Sequence, residues 1–127
     1  LRAVPIPLER GLLGYRLLLV NENRAAEFAN ITSLEELNSK FTAGFNKSWI
    51  DHQILEFNQI PTVTSAYYQP LFKMLAAGRL DYFPRGINEA ADEKKAFEET
   101  FPSLTIEPEL ALYYPYPRIF FVHKNKL

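Results

Sequence analysis

Short apolar runs alternate along this chain with stretches in which apolar residues recur every third or fourth position. Tyr15–Val20 is apolar on both sides after Arg16 and reads as an interior strand. Phe41–Phe45, Thr62–Thr64 and Leu80–Phe83 are three more short strands. Between them lie two helical patterns. Trp49–Phe57 places Ile50, Ile54 and Phe57 on one stripe, which is expected to pack on the sheet. Tyr68–Ala77 has Tyr68, Leu71, Phe72 and Leu75 at helical spacing, with Pro70 in the first turn and Gly78 where a left-handed cap is wanted. Earlier, Thr32–Leu37 opens a helix with a capping box, and Ala25–Phe28 holds a short helix. Later, Asn88–Thr100 is a charged helix stopped by Pro102, and Leu104–Ile106, Leu110–Tyr113 and Arg118–Val122 are the last strands. Leu1–Pro7 is extended, and Gly11 and Gly14 bracket a turn.

Strands alternating with helices of about ten residues are the pattern of parallel βαβ units. The predicted fold is an α/β, three-layer sandwich with a central mixed sheet, formed by residues 1–127 as a single domain. In such sheets ligands lie beyond the carboxyl ends of the strands. Two of those ends carry polar groups: Asn46-Lys47-Ser48 after the first strand of the unit and Pro84-Arg85-Gly86 after the third. Ser48 is a good N-cap, with Asp51 at the third helical position. The first N–H groups of a helix have no internal partner and favour an anion. Gly44 would let a ligand approach the backbone, and Lys47 adds charge. The plainer alternative is that Ser48 only caps and Lys47 only meets water. Arg85 offers a bidentate fork for a carboxylate, against the alternative of an ion pair with Glu89 one turn on. Asp81 is expected to be structural, contacting backbone at a strand start.

Composition narrows the function. The chain has 127 residues, 47% apolar and 23% charged, which suits one globular domain. Its net charge of −1 offers no basic field for a phosphate backbone, so nucleic acid is not an expected partner. No apolar run is long enough to cross a bilayer. There is no cysteine, and His52 and His123 lack metal-ligand spacing, so no metal site is expected. There is no nucleophile–base–orienter set and no phosphate-binding glycine loop. The expectation is therefore a non-catalytic domain with neither enzyme activity nor cofactor. The chain opens Leu1-Arg2-Ala3 with neither initiator methionine nor signal peptide, and reads as a mature or excised piece of something longer.

Gly11–Arg16, Ile31–Leu37, Ala43-Gly44-Phe45 followed by Ser48-Trp49-Ile50-Asp51, and above all Leu71–Gly86 (LFKMLAAGRLDYFPRG) resemble the extracellular solute-binding proteins of ABC-type amino-acid uptake systems. The resemblance spans nearly the whole chain. It implies one lobe, the second, of a periplasmic binding protein of type II. The entering strand would lie near Val4–Leu8 and the returning strand at Ile119–Val122. The resemblance further implies a small polar, carboxylate-bearing, amino-acid-like solute, a periplasmic or extracytoplasmic location, and as partners the missing first lobe and an ABC permease. The isolated lobe would tend to form a homodimer through the surface that faces that missing lobe. A sensory domain of a signalling protein is the alternative use of the same fold. In such proteins the corner matching Gly44–Ser48 contacts a ligand carboxylate. An aspartate that holds an amino group often sits where this chain has Gly86, preceded here by Arg85. The expected ligand-binding residues are therefore Asn46, Lys47, Ser48, Arg85 and Gly86, with a preference for an anionic ligand group.

Overall fold

The computed structural model describes residues 2–8, 14–114 and 118–122. The elements run β1 (Arg2–Leu8), β2 (Tyr15–Asn21), a 3-10 helix (Glu22–Phe28), α1 (Leu34–Lys40), β3 (Ala43–Asn46) and α2 (Ile50–Phe57). They continue with β4 (Thr62–Ser65), α3 (Gln69–Ala76), β5 (Tyr82–Gly86), α4 (Ala90–Phe97), β6 (Leu104–Tyr113) and β7 (Arg118–Val122). Five strands form one mixed sheet in the order β4-β3-β5-β2-β6. β3 pairs in parallel with β4 and β5, whereas β2 runs antiparallel to both of its neighbours, β5 and β6. β1 and β7 form a separate antiparallel pair whose register shifts between Val4 and Leu8. Pro5 and Pro7 lie in that stretch and cannot donate to a ladder, which accounts for the irregularity.

Helices cover both faces of the five-stranded sheet. α2 meets the face of β2 that carries Arg16, through Asp51. α3 and α4 meet the opposite face, where Phe72 packs edge-on against Phe83 and Glu93 reaches Arg85. Leu18, Leu19 and Val20 are almost fully buried, as an apolar central strand should be. Phe28, Phe45, Phe72, Tyr82 and Phe83 supply the large core side chains. The expected α/β sandwich is therefore the observed fold.

The α3 pattern was fully legible: Leu71, Phe72 and Leu75 are buried, and Gly78 takes φ 73° just past the helix. Three expectations need correction. On α2, Ile50 is 67% and Phe57 88% exposed, while Asp51 and Leu55 turn inward. A buried ion pair, not the aliphatic stripe, sets the rotation of that helix. Leu104–Ile106 and Leu110–Tyr113 are one strand, β6. It continues past Pro108 because the buried Glu107 carboxylate accepts hydrogen bonds from the N–H groups of Glu109 and Leu110 where the ladder is interrupted. The charged helix is limited to Ala90–Phe97.

At α1, Ser33 is the N-cap and accepts a hydrogen bond from the Glu36 N–H at 3.1 Å. The Glu36 carboxylate returns to the N–H of Thr32 at 3.2 Å and to Lys40 at 3.0 Å. Lys40 and Thr32 hold the Glu36 carboxyl below the usual range. Ser33→Ala is expected to cost about 1 kcal/mol of stability, read as a lower urea midpoint at unchanged slope. An unchanged midpoint would show that the cap contributes nothing.

Candidate functional site

β3, β4 and β5 run in parallel, so their carboxyl ends share one edge of the sheet. Asn46 pairs with Ser65 there, and Arg85-Gly86 ends the neighbouring strand. Because β2 is antiparallel, its start lies beside the end of β5, and the Ile87 N–H donates to the Tyr15 carbonyl at 3.3 Å. Tyr15 in turn pairs with Tyr113 at the end of β6. Tyr15, Tyr67, Ile87 and Tyr113 are all exposed along this edge. The structure thus brings Asn46, Lys47, Ser48, Arg85 and Gly86 to adjacent strand ends on one side of the molecule.

At the β3–α2 corner, Asn46 is buried and does the anchoring. Its Nδ2 donates to the Ala66 carbonyl at 3.2 Å, tying this corner to the turn after β4. Its Oδ1 accepts from the Ser48 N–H at 2.9 Å and the Ser48 hydroxyl at 2.6 Å. Ser48 is therefore not the helix cap. Trp49 occupies that position and supplies no side-chain cap to the first turn of α2. The hydroxyl is drawn away because Asn46 Oδ1 lies within reach in the same turn. Lys47 and Ser48 remain exposed on the outside of the corner. Gly44 does not open the backbone to a ligand, since a Cβ there would lie 2.3 Å from Leu80 Cδ2.

Arg85 has a different setting from the one its flanking proline and glycine suggest. Its Nε lies 2.9 and 2.8 Å from the two Glu93 carboxylate oxygens, and its Nη2 lies 2.5 Å from Glu93 Oε1. Glu89 Oε2 adds a contact at 3.1 Å. The alternative of an ion pair with Glu89 is thus present, and the closer partner is Glu93, so two carboxylates face the fork expected to hold a ligand carboxylate. Rings of Trp49, Tyr68 and Phe83 surround it with centroids at 4.8, 5.2 and 5.2 Å. Burial disfavours the charged guanidinium, but the hydrogen bonds and attraction of Glu93 prevail, and its pKa is raised. Burial and the neighbouring Glu93 carboxylate push the Tyr68 phenol up as well. Trp49 joins the two corners, because it directly follows Ser48 and lies over Arg85.

A second buried cluster was not foreseen as such. Arg16 Nη2 donates to Asp51 at 2.7 Å, and the Tyr114 hydroxyl donates to the same oxygen at 2.7 Å. Burial, then the hydrogen bond to the Asp51 carboxylate, raises the Tyr114 phenol. The signal for it was a lone arginine in an otherwise apolar strand. Asp81 behaves as expected: it accepts from the Thr42 N–H at 2.7 Å and pairs with Arg24. Two shallow apolar grooves run beside α1, α2 and β6 and share Leu34, Leu112 and Tyr113. Among the described residues no group of three or more His, Asp or Glu is placed to hold a metal, and His123 lies outside them. No helix among them is long and apolar enough to cross a membrane.

No family model matches the chain, and no curated protein sequence does. Solved structures do. An ancestral arginine-binding protein bound to arginine aligns at 16% identity and TM-score 0.59, over 88% of this chain and 47% of that one. Domain 2 of TmArgBP aligns at 17% identity and TM-score 0.51, over 75% of this chain and 96% of that one. The fold is that of one lobe of a type II periplasmic binding protein. The lobe also matches the second substrate-binding domain assigned to an amino acid ABC transporter of Streptococcus pneumoniae Canada MDR_19A. That match has 20% identity and TM-score 0.52, over 80% of this chain and 42% of that one. The chain spans about half the length of the arginine-binding protein and of the Streptococcus domain that it matches.

Proposed function

We propose that this chain is the second lobe of a two-lobed receptor that binds a small, amino-acid-like solute outside the cytoplasm for uptake by an ABC permease. The observation that carries the reading is the strand-end edge. It gathers the exposed Lys47 and Ser48, the side-chain-uncapped first turn of α2, and the Arg85-Gly86 corner beyond one set of parallel strands. A helix start beside a lysine suits the carboxylate of such a solute. Asn46 keeps that corner in shape, and Gly86 and Arg85 form the other wall. The lobe binds and does not catalyse. A single lobe covers one side of the solute and leaves the rest to water, so the first lobe is required for tight binding.

Calorimetric titration of the intact receptor with the common L-amino acids tests this. At least one is expected to bind with submicromolar affinity, whereas the 127-residue lobe alone should give no measurable heat. Failure of every amino acid with the intact receptor would reject the reading, and submicromolar binding by the lobe alone would reject the two-lobed site. The edge that loses its partner lobe carries Tyr15, Tyr67, Ile87 and Tyr113, and isolated lobes are expected to pair through it. Sedimentation that stays monomeric at high concentration would exclude that pairing.

A further inference from the structure

We infer that the buried Arg16–Asp51–Tyr114 cluster is a clasp. It positions the first turn of α2 against the two points where the chain leaves the five-stranded sheet for β1 and β7, so that a solute held at that turn is felt at both exits. The inference rests on the binding reading above. β2 follows β1, β6 precedes β7, and β1 and β7 pair in a sheet of their own. The two connections meet the larger sheet side by side. The Tyr114 N–H donates to the Gly14 carbonyl at 2.9 Å, and Tyr15 pairs with Tyr113, their ring centroids 4.7 Å apart. A Cβ on residue 14 would lie 2.8 Å from the Tyr114 carbonyl oxygen, so glycine is what lets the two backbones come this close.

Asp51 lies in the first turn of α2 and reaches into this crossing. Its Oδ2 accepts from Arg16 Nε at 3.2 Å, from Arg16 Nη2 at 2.7 Å and from the Tyr114 hydroxyl at 2.7 Å. The Arg16 guanidinium also lies 5.1 Å from the centroid of the Tyr114 ring. Arg16 belongs to one exit and Tyr114 to the other, and Asp51 joins both. In the opposite direction Asp51 is tied to the β3–α2 corner through the backbone. The His52 N–H donates to the Trp49 carbonyl at 3.0 Å, and the Trp49 N–H to the Asn46 carbonyl at 3.2 Å. The helix is turned to make this contact, because Ile50 and Phe57 face solvent while Asp51 is buried. A buried ion pair adds little net stability, since desolvation offsets the attraction, whereas charge-assisted hydrogen bonds converging on one oxygen admit a narrow geometry. The cluster therefore serves the placement of the turn more than the packing of the lobe. Arg16 and Tyr114 are in this sense positioning residues.

The test follows amide exchange by NMR in the intact receptor. The Trp49 N–H reports on the turn and the N–H of residue 114 on the exits. Tyr114→Phe keeps the ring over Arg16 and removes one hydrogen bond to Asp51. Without solute it is expected to speed exchange at both reporters about threefold or more. Saturation with the tightest-binding common L-amino acid is expected to slow both reporters of wild type about tenfold or more. In Tyr114→Phe the amino acid should still slow Trp49 but slow residue 114 less than about twofold. A side chain that only stabilised the fold would lower the thermal midpoint and leave protection at residue 114 in place. Protection there that persists in Tyr114→Phe would therefore overturn the inference. Wild-type protection confined to Trp49 would overturn it too, however the variant folds, and in both cases the binding reading stands. If wild type binds no common L-amino acid, the binding reading fails and this inference fails with it.

Discussion

Replacing Arg85 with alanine is expected to lower the free energy of unfolding by about 3–5 kcal/mol, the range for breaking one side of a buried pair. Its side chain is 13% exposed and that of Glu93 is 12%, so removal strands a carboxylate with little access to water. Contact with the Trp49, Tyr68 and Phe83 rings is lost at the same time, and each such contact is worth roughly 0.5–2 kcal/mol. Arg85→Lys should recover only part, since an ammonium cannot bridge both Glu93 oxygens or stack flat on a ring. Adding Glu93→Gln to Arg85→Ala should restore stability, because the stranded charge is then gone. Urea unfolding of the two single variants and the double variant measures the coupling. A loss below about 1 kcal/mol for Arg85→Ala would place the pair among solvated surface bridges and contradict the buried geometry.

Gly44→Ala should also destabilise the lobe, by about 1–3 kcal/mol, through overpacking. The new methyl would sit 2.3, 3.0 and 3.2 Å from Cδ2, Cδ1 and Cγ of Leu80, a buried side chain that is 2% exposed. Leu80→Ala alone should cost about 2–5 kcal/mol by leaving a cavity. In the double variant the added methyl occupies part of the vacated space, so the two losses should sum to less than their separate values. Strict additivity in thermal or urea unfolding would show that Gly44 and Leu80 do not compete for the same volume.

Local pattern was enough to read α3, β2 and a capped helix start at Thr32-Ser33, though not which of the two hydroxyls caps, because each depends on residues within a turn or a strand of one another. The alternation of strands and helices likewise pointed to the parallel β3, β4 and β5 and, through the strand-end rule, to the edge on which Asn46 and Arg85 both stand. What escaped was settled by residues far apart in the chain. The rotation of α2 follows from Asp51 meeting Arg16 and Tyr114, an attraction no helical periodicity contains. The state of Arg85 follows from Glu93, on the helix that comes after the strand, reaching back to the guanidinium. From sequence only the nearer Glu89 could be weighed as its partner. Ser48 was read as a cap because its type and place fit, but Asn46 two residues earlier held the better acceptor.

The place of β2 in the sheet has a consequence for how the lobe is made. Both strands that pair with it, β5 and β6, follow much later in the chain, while β3 and β4 pair with each other first in order of synthesis. A nascent chain released only as far as Ala76 holds the β3–β4 pair and still lacks both neighbours of Leu17–Val20. That apolar stretch must wait until Tyr82–Gly86 and then Leu104–Tyr113 emerge, so a strand made early is completed only late in translation. Leu17–Val20 is therefore the segment that a holding chaperone would need to cover.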